Sequence, residues 1–236
     1  MLVVGFPAAA FGTNCFVLAP QAGQECVVVD PGIGVVQTLE RVLAEHRLKP
    51  AAVLLTHGHL DHVFSVTPVC GAHGVAAHIH PDDAYRLADP VSTLDPGLVA
   101  MFAAQFGPQA QWAEPDDVVT VRDGQVLALA GLELTIDHAP GHTEGSVMFR
   151  SPAPDLTGTD AGQVLLSGDV LFAGSIGRTD LPGGDMDAMW TSLAAKVLPL
   201  ADDTLVLPGH GPQTTMATER RSNPFLLEAA ARSRSA

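Results

Sequence analysis

The sequence predicts an α+β fold, with two β-sheets face to face and helices outside both. Three observations predict it. Short apolar runs and helical periodicities succeed one another as strands then helix, and that order occurs twice. Neither a GxGxxG nor a P-loop signature accompanies the strands. Hydrophobic residues make up 47% and charged residues 16% of 236 residues, which supplies a core and excludes a disordered chain. No linker and no internal repeat divides the sequence. Residues 1–236 therefore read as a single domain, with 231–236 as a frayed tail.

The elements follow in order. Met1 to Pro20 reads as strand, loop, strand, because Gly5, Pro7, Gly12 and Asn14 interrupt its apolar run. Cys15–Leu18 and Glu25–Val29 are short strands, followed by an Asp30-Pro31-Gly32 turn. Val35 to His46 has helical spacing at Val35, Leu39, Val42 and Leu43, and Pro50 closes that unit. Ala51–Leu55 is a continuous apolar run, as in a buried strand. Val63–His73 reads as a helix ended near Gly74, and Val75–Ile79 as a strand. Asp89 to Asp117 is irregular, with one apolar helical piece at Leu98–Phe106 that reads either as a lid or as a helix packed on a sheet edge. Strands then dominate at Val118–Val121, Gln125–Leu129, Glu133–Asp137, Ser146–Arg150 and Val164–Ser167, with a surface loop at Ser151–Gly162. Met186–Val197 and a segment near Thr218–Ala231 read as helices.

Charge and cysteine usage exclude several classes. Twelve Lys+Arg face 26 Asp+Glu, a formal charge of −14, which repels polyanions and anionic lipid. The first basic residue is Arg41, so the basic flank of a signal peptide is missing. No stretch approaches the ~18 to 20 apolar residues of a membrane span. Cys15, Cys26 and Cys70 are odd in number and form no CxxC, so free buried thiols in a cytoplasmic enzyme are expected.

The chemistry concentrates in Thr56-His57-Gly58-His59-Leu60-Asp61-His62. His57 and His59, two apart at a strand end, send their imidazoles the same way. Asp61 and His62 follow on the turn into a helix. Imidazole is the commonest protein metal ligand, and carboxylate adds a hard oxygen. Three later fragments also place such residues directly after an apolar run: His142 in Ala139-Pro140-Gly141-His142-Thr143, Asp169 in Ser167-Gly168-Asp169, and His210 in Pro208-Gly209-His210-Gly211. One strand-end His or Asp alone is more often a turn or capping residue. Their recurrence points to a metal-dependent hydrolase.

The order HxHxDH, PGHT, SGD, PGHG resembles the metallo-β-lactamase superfamily. The resemblance extends from Asn14-Cys15 to Asn223-Pro224-Phe225 and implies a four-layer αββα sandwich with metals at one edge. Within it, Gly177-Arg178-Thr179-Asp180-Leu181-Pro182-Gly183-Gly184 and Glu219-Arg220-Arg221-Ser222-Asn223-Pro224-Phe225-Leu226 are similar to the short glyoxalase II group. That resemblance implies that His57, His59 and His142 hold one metal and that Asp61, His62 and His210 hold a second. Asp169 would bridge them. Asp61 and Asp169 become the catalytic carboxylates, with two zinc ions, or iron or manganese at either site, activating a hydroxide. The implied substrate is a small S-2-hydroxyacyl thioester such as a lactoyl thioester, whose thiolate leaves with little help from an acid. Lactonase relatives use a tyrosine near the metals, whereas the one tyrosine here is Tyr85. Class B β-lactamases most often use a late cysteine, and none follows Cys70.

Two alternatives stay open. A persulfide dioxygenase would place one iron on His57, His142 and Asp169. A metal-free binding module of the same fold would use none of these ligands. Arg178, Arg220 and Arg221 are candidates for a substrate carboxylate, against pairing of Arg178 with Asp180 or Asp185 and a solvated helix start for the other two. His138 or Asp137 is a candidate partner for His142. His78 and His80 share a strand face, either as a third metal site or as structural residues. His46 and His73 read as helix-end residues.

Overall fold

Alternation along the strands builds three layers of core. In a computed structural model, described for residues 1–91, 94, 97, 99–100, 104, 113–153, 156 and 158–235, the chain forms two six-stranded sheets. The first holds β1 (Leu2–Pro7), β2 (Asn14–Ala19), β3 (Glu25–Val29), β4 (Lys49–Leu54), β5 (Ala77–Ile79) and β6 (Val118–Thr120), side by side in chain order. The second runs β12 (Thr214–Thr215), β11 (Thr204–Pro208), β10 (Gln163–Gly168), β9 (Val147–Pro152), β8 (Leu132–His138), β7 (Val126–Leu129). Cys15, Val17, Cys26 and Val28 point outward, under α1 (Val36–His46) and α3 (Val66–His73), where Leu39, Val42, Val66 and Val69 cover them. Their neighbours Phe16, Leu18, Val27 and Val29 point inward and meet Leu134, Ile136, Phe149, Val164 and Leu166 of the second sheet. Met148, Leu165 and Val206 face the other way, against α5 (Met186–Ser192, continued by a π-helical turn Leu193–Val197), α6 (Met216–Ser222) and α7 (Pro224–Ser235). Period-two patterning thus yields the αββα sandwich.

The differences from the sequence expectation have local causes. Pro50 does not close a unit but lies inside β4, opposite Cys26 at a register shift, a position that tolerates a missing N–H. The expected helix Val63–His73 is divided into α2 (Leu60–Val63) and α3, because Ser65 turns back to donate to the Pro31 and Gly32 carbonyls. The expected single helix near Thr218–Ala231 breaks between α6 and α7, where Asn223 precedes Pro224. The last helix runs to Ser235. A helix not anticipated, α4 (Pro81–Ala88), starts with Pro at its first turn and acidic Asp82 and Asp83 behind it. The Leu98–Phe106 piece lies largely outside the described residues.

The cysteines are free and buried. Burial pushes the Cys26 and Cys70 thiols up to about 12 and Cys15 upward as well, so they are inert fillers. No helix among the described residues is long and apolar enough to cross a membrane.

Candidate metal centre

Parallel pairing aligns the C-terminal ends of strands along one edge of the sandwich. β3 and β4 run parallel, as do β10 and β11. His57, His59, Asp61 and His62 leave the end of β4. His142 follows β8, Asp169 follows β10 and His210 follows β11. The structure brings all of these side chains together, as two sets of donors, His57 with His59 and His142 and Asp61 with His62 and His210, joined by a group of His57, His62 and Asp169. The ligand atoms within each group lie within 4.8 Å of one another.

In the first set, His59 Nδ1 lies 3.1 Å from His57 Nε2 and 2.9 Å from His142 Nε2. Three imidazole nitrogens converging this closely approach the spacing of tetrahedral ligands, which stand about 3.3 Å apart around zinc. In the second set, Asp61 Oδ2 is 3.2 Å from His210 Nε2 and 3.6 Å from His62 Nε2, which are 3.3 Å from each other. Asp169 stands between the sets. Its Oδ2 is 3.5 Å from His142 Nε2 and 3.6 Å from His210 Nε2, and its Oδ1 is 3.4 Å from His62 Nε2. Asp169 Oδ1 is buried and has no hydrogen-bond partner among the described residues, an arrangement that a native site tolerates when something else satisfies the oxygen. The mixed imidazole and carboxylate donors suit zinc, iron or manganese, so the residues fit a pair of divalent cations.

Partners outside the donor sets fix which nitrogen faces inward. Thr56 Oγ1 donates to Asp30 Oδ2 at 2.6 Å, so that hydroxyl must accept from His57 Nδ1, 3.1 Å away. His62 Nδ1 donates to the same Asp30 oxygen at 2.9 Å. One buried carboxylate therefore directs the Nε2 lone pairs of both rings into the centre. His142 Nδ1 donates to the Arg178 carbonyl at 2.7 Å, and Thr13 Oγ1 donates to Asp61 Oδ2 at 2.7 Å.

Those partners correct several expectations. Neither His138 nor Asp137 orients His142. Asp137 pairs with Arg150, and His138 Nε2 meets the Glu144 carbonyl. The Arg178 guanidinium binds Asp180 through two 2.7 Å contacts, and it is the backbone carbonyl of Arg178 that touches the centre. The Arg220 guanidinium is engaged away from the donor sets. It donates to Asp202 and to the Leu198 and Leu200 carbonyls behind α5. Arg221 is exposed on α6. The same motif acts through Glu219 and Asn223 instead, which hold the Gly174 N–H and the Phe172 and Ser175 carbonyls and so fix the loop after Asp169. The Phe172 ring then lies edge-on to His210. His80 and His138 stack at 3.9 Å, nearly parallel. With Asp82 they bring one ligand atom each within 4.8 Å of one another, but His138 Nε2 is engaged by the Glu144 carbonyl and the in-plane lone pairs of parallel rings converge poorly on one cation. His73 pairs with Glu40.

Electrostatics divides the two donor sets. Burial, reinforced by neighbouring imidazoles, holds His57 and His59 well below the usual histidine value, and burial also lowers His142. Burial acts the same way on His62, but the carboxylates of Asp61, Asp169 and Asp30 outweigh it and raise His62 to about 10. His210 is raised too, burial being outweighed by its bond to Asp61 and the charge of Asp169. Partial removal from water opposes ionisation of Asp61, yet His62 and the bonds from His210 and Thr13 hold it far below the carboxylate range. A proton competes with a cation for each imidazole. The first set stays unprotonated through the ordinary histidine range, whereas without a cation His62 already holds a second proton at neutral pH and His210 takes one more readily than an ordinary imidazole, so protons compete hardest for the second set. Acidification from pH 8 to pH 5 is therefore expected to release the cation at Asp61, His62 and His210 first. Metal content per chain measured across this range should show a plateau at one, and a single step from two to none would contradict the division.

The chain as a whole has counterparts in known proteins. A model of the metallo-beta-lactamase superfamily matches residues 8–210. The chain belongs to the metallo-beta-lactamase superfamily. It is 46% identical over 227 residues to an uncharacterized protein of Mycobacterium tuberculosis, covering 96% of this chain and 98% of the relative. It is 35% identical over 221 residues to hydroxyacylglutathione hydrolase GloC of Haemophilus influenzae, covering 93% and 95%. Among solved structures, the superfamily fold is shared with BLEG-1, described as a B3 metallo-beta-lactamase, at a TM-score of 0.75 and 33% identity over 95% of this chain and 99% of that one. It is shared as well with TTHA1623 in a di-iron-bound form, at a TM-score of 0.74 and 32% identity over 94% and 100%. Membership of the superfamily implies a metal-dependent hydrolase, and the donors along this edge of the sandwich fit that reading.

Proposed function

We propose that the chain is a binuclear thioesterase of the glyoxalase II type, hydrolysing S-2-hydroxyacyl thioesters such as lactoyl thioesters. The observation that carries this reading is Asp169, whose carboxylate stands between two converging donor sets with one oxygen unsatisfied. The proposed ligands are His57, His59 and His142 on one side and Asp61, His62 and His210 on the other, with Asp169 shared. When bound, two divalent cations would polarise the thioester carbonyl and lower the pKa of the attacking water.

The chain's own groups would do the rest. Thr56, Asp30 and the Arg178 carbonyl accept the Nδ1 protons of His57, His62 and His142, so these rings need not turn before they bind a metal, and His62 gives up only its second proton. Asp61 and His210 are only half-buried while His57, His62 and His142 are buried, so substrate would enter on the Asp61 and His210 side, past Phe172. The leaving group decides the substrate class. A thiolate, whose thiol has a pKa of about 8.5, departs without a strong general acid. An alkoxide or an amide nitrogen needs a donor, and the chain's one tyrosine, Tyr85, is 51% exposed on α4 with Arg86 over its ring. The likeness to GloC supports the same class.

The test is metal analysis combined with assays of S-lactoylglutathione and a β-lactam. Two cations per chain with thioester turnover is the expected result. β-Lactam hydrolysis without thioester turnover would overturn the thioesterase. One iron per chain with oxygen uptake on glutathione persulfide would replace it by a dioxygenase, the reading in which His59, Asp61, His62 and His210 stay unused. The di-iron form of TTHA1623 makes iron as well as zinc an identity to be measured.

A further inference from the structure

Helix α4 places one carboxylate behind two of the metal-binding loops. Asp83 is fully buried. Its Oδ2 accepts from the Gly58 N–H at 2.7 Å and from Thr143 Oγ1 at 2.8 Å, and its Oδ1 accepts from the Gly145 N–H at 2.9 Å. Gly58 sits between His57 and His59, and Thr143 follows His142. One side chain thus ties together the backbones that carry the entire first donor set, across sequence separations of 25 and 60 residues. The approach is close enough to require glycine on both loops. A Cβ on Gly58 would meet Arg86 Cδ at 2.6 Å, and one on Gly145 would meet Asp83 Cβ at 2.7 Å.

A plainer role for Asp83 would be to neutralise Arg86, its neighbour one helical turn away, which is fully buried as well. The hydrogen bonds argue against that role. Arg86 Nε stands 3.4 Å from Asp83 Oδ1 and makes no hydrogen bond among the described residues, whereas Arg86 Nη2 donates to Glu144 at 2.7 Å and to the Pro182 carbonyl at 3.1 Å. The hydrogen bonds of Asp83 go to the loops. The second donor set is held by other means, through Asp30 and Thr13.

We infer that Asp83 is a positioning residue that sets the spacing of His57, His59 and His142 and thereby the affinity of that cation site alone. The inference rests on the proposed ligand assignment. Its test is chelator competition with zinc, which yields two dissociation constants, assigned to the two sites by anomalous diffraction from partly stripped crystals. Asp83→Asn keeps the shape but turns an N–H toward donors. It is expected to weaken the His57, His59 and His142 site by about ten- to a hundredfold and to leave the other site within about twofold. Thr143→Val removes one arm without burying a new charge, and a severalfold loss at the same site is expected. The double variant Asp83→Asn/Arg86→Met removes the buried guanidinium. It should recover thermal stability without recovering metal affinity.

Restored affinity in the double variant would make Asp83 a counter-ion and overturn the inference. So would equal weakening of both sites, or an unchanged first site in Thr143→Val. Wild-type protein that fails to bind two zinc ions would instead sink the binuclear reading on which the inference stands.

Discussion

An Asp169→Ala variant is expected to purify with neither cation and to lose at least about a thousandfold in kcat/KM on lactoyl thioesters, the several kcal/mol that metal-assisted catalysis supplies. The carboxylate stands within 3.6 Å of a nitrogen from each donor set, so no other side chain substitutes for it. Alanine leaves the first set with imidazoles only and the second with the half-buried Asp61 as its one anion. Two like charges in adjacent sites then repel with little between them to offset the repulsion. Metal content of the purified variant and its kcat/KM decide the matter together. Two retained cations with near wild-type turnover would refute the bridging assignment, and two retained cations with no turnover would limit Asp169 to chemistry.

Gly209→Ala is expected to be nearly as damaging, although it removes nothing. A Cβ there would collide with Asp169 Oδ1 and stand 2.8 Å from His62 Cε1. The backbone cannot retreat, because the Gly209 N–H donates to the Gly168 carbonyl at 2.8 Å and the Gly209 carbonyl accepts from the Asn14 N–H at 2.7 Å. The Asp169 carboxylate must move instead, and displacement of about 1 Å at a reacting centre costs on the order of a hundredfold. Loss of the cation beside His62 and a fall in kcat/KM of that size are expected, with a fold unchanged by circular dichroism. Wild-type metal content and turnover would show that the strand end yields where its hydrogen bonds say it does not.

How legible the site was depends on how local each signal is. His57, His59, Asp61 and His62 lie within one loop, and His142, Asp169 and His210 each follow a strand-like run, so residue type and position were both visible in the sequence. Asp30, Thr56, Thr13 and Asp83 were not. Asp30 showed only as part of an Asp-Pro-Gly turn, and its partnership with Thr56 spans 26 residues. Nothing in the sequence brings β3 beside β4 until their pairing is known. The two sheets were legible from the strands-then-helix order and the αββα layering from the superfamily resemblance, yet the order did not show α4, although Pro81, Asp82 and Asp83 are good helix starters. The strand-like run before them had drawn attention to His80 instead. Arg220 misled for the opposite reason. An arginine near a family motif suggested a ligand, while the geometry spends its guanidinium on α5 carbonyls.

The donors divide between the sheets. His57, His59, Asp61 and His62 hang from β4, and His142, Asp169 and His210 hang from strands of the facing sheet. A cation coordinated from both sides is therefore a cross-link between the halves of the sandwich, and the free energy of its binding is also free energy of folding. A cation present at a thousand times its dissociation constant would add about 4 kcal/mol to the folded state, or roughly ten degrees of melting temperature for a domain of this size. In a cell short of metal, the chain would then forfeit its resistance to unfolding and proteolysis along with its turnover, so that its abundance would follow metal supply.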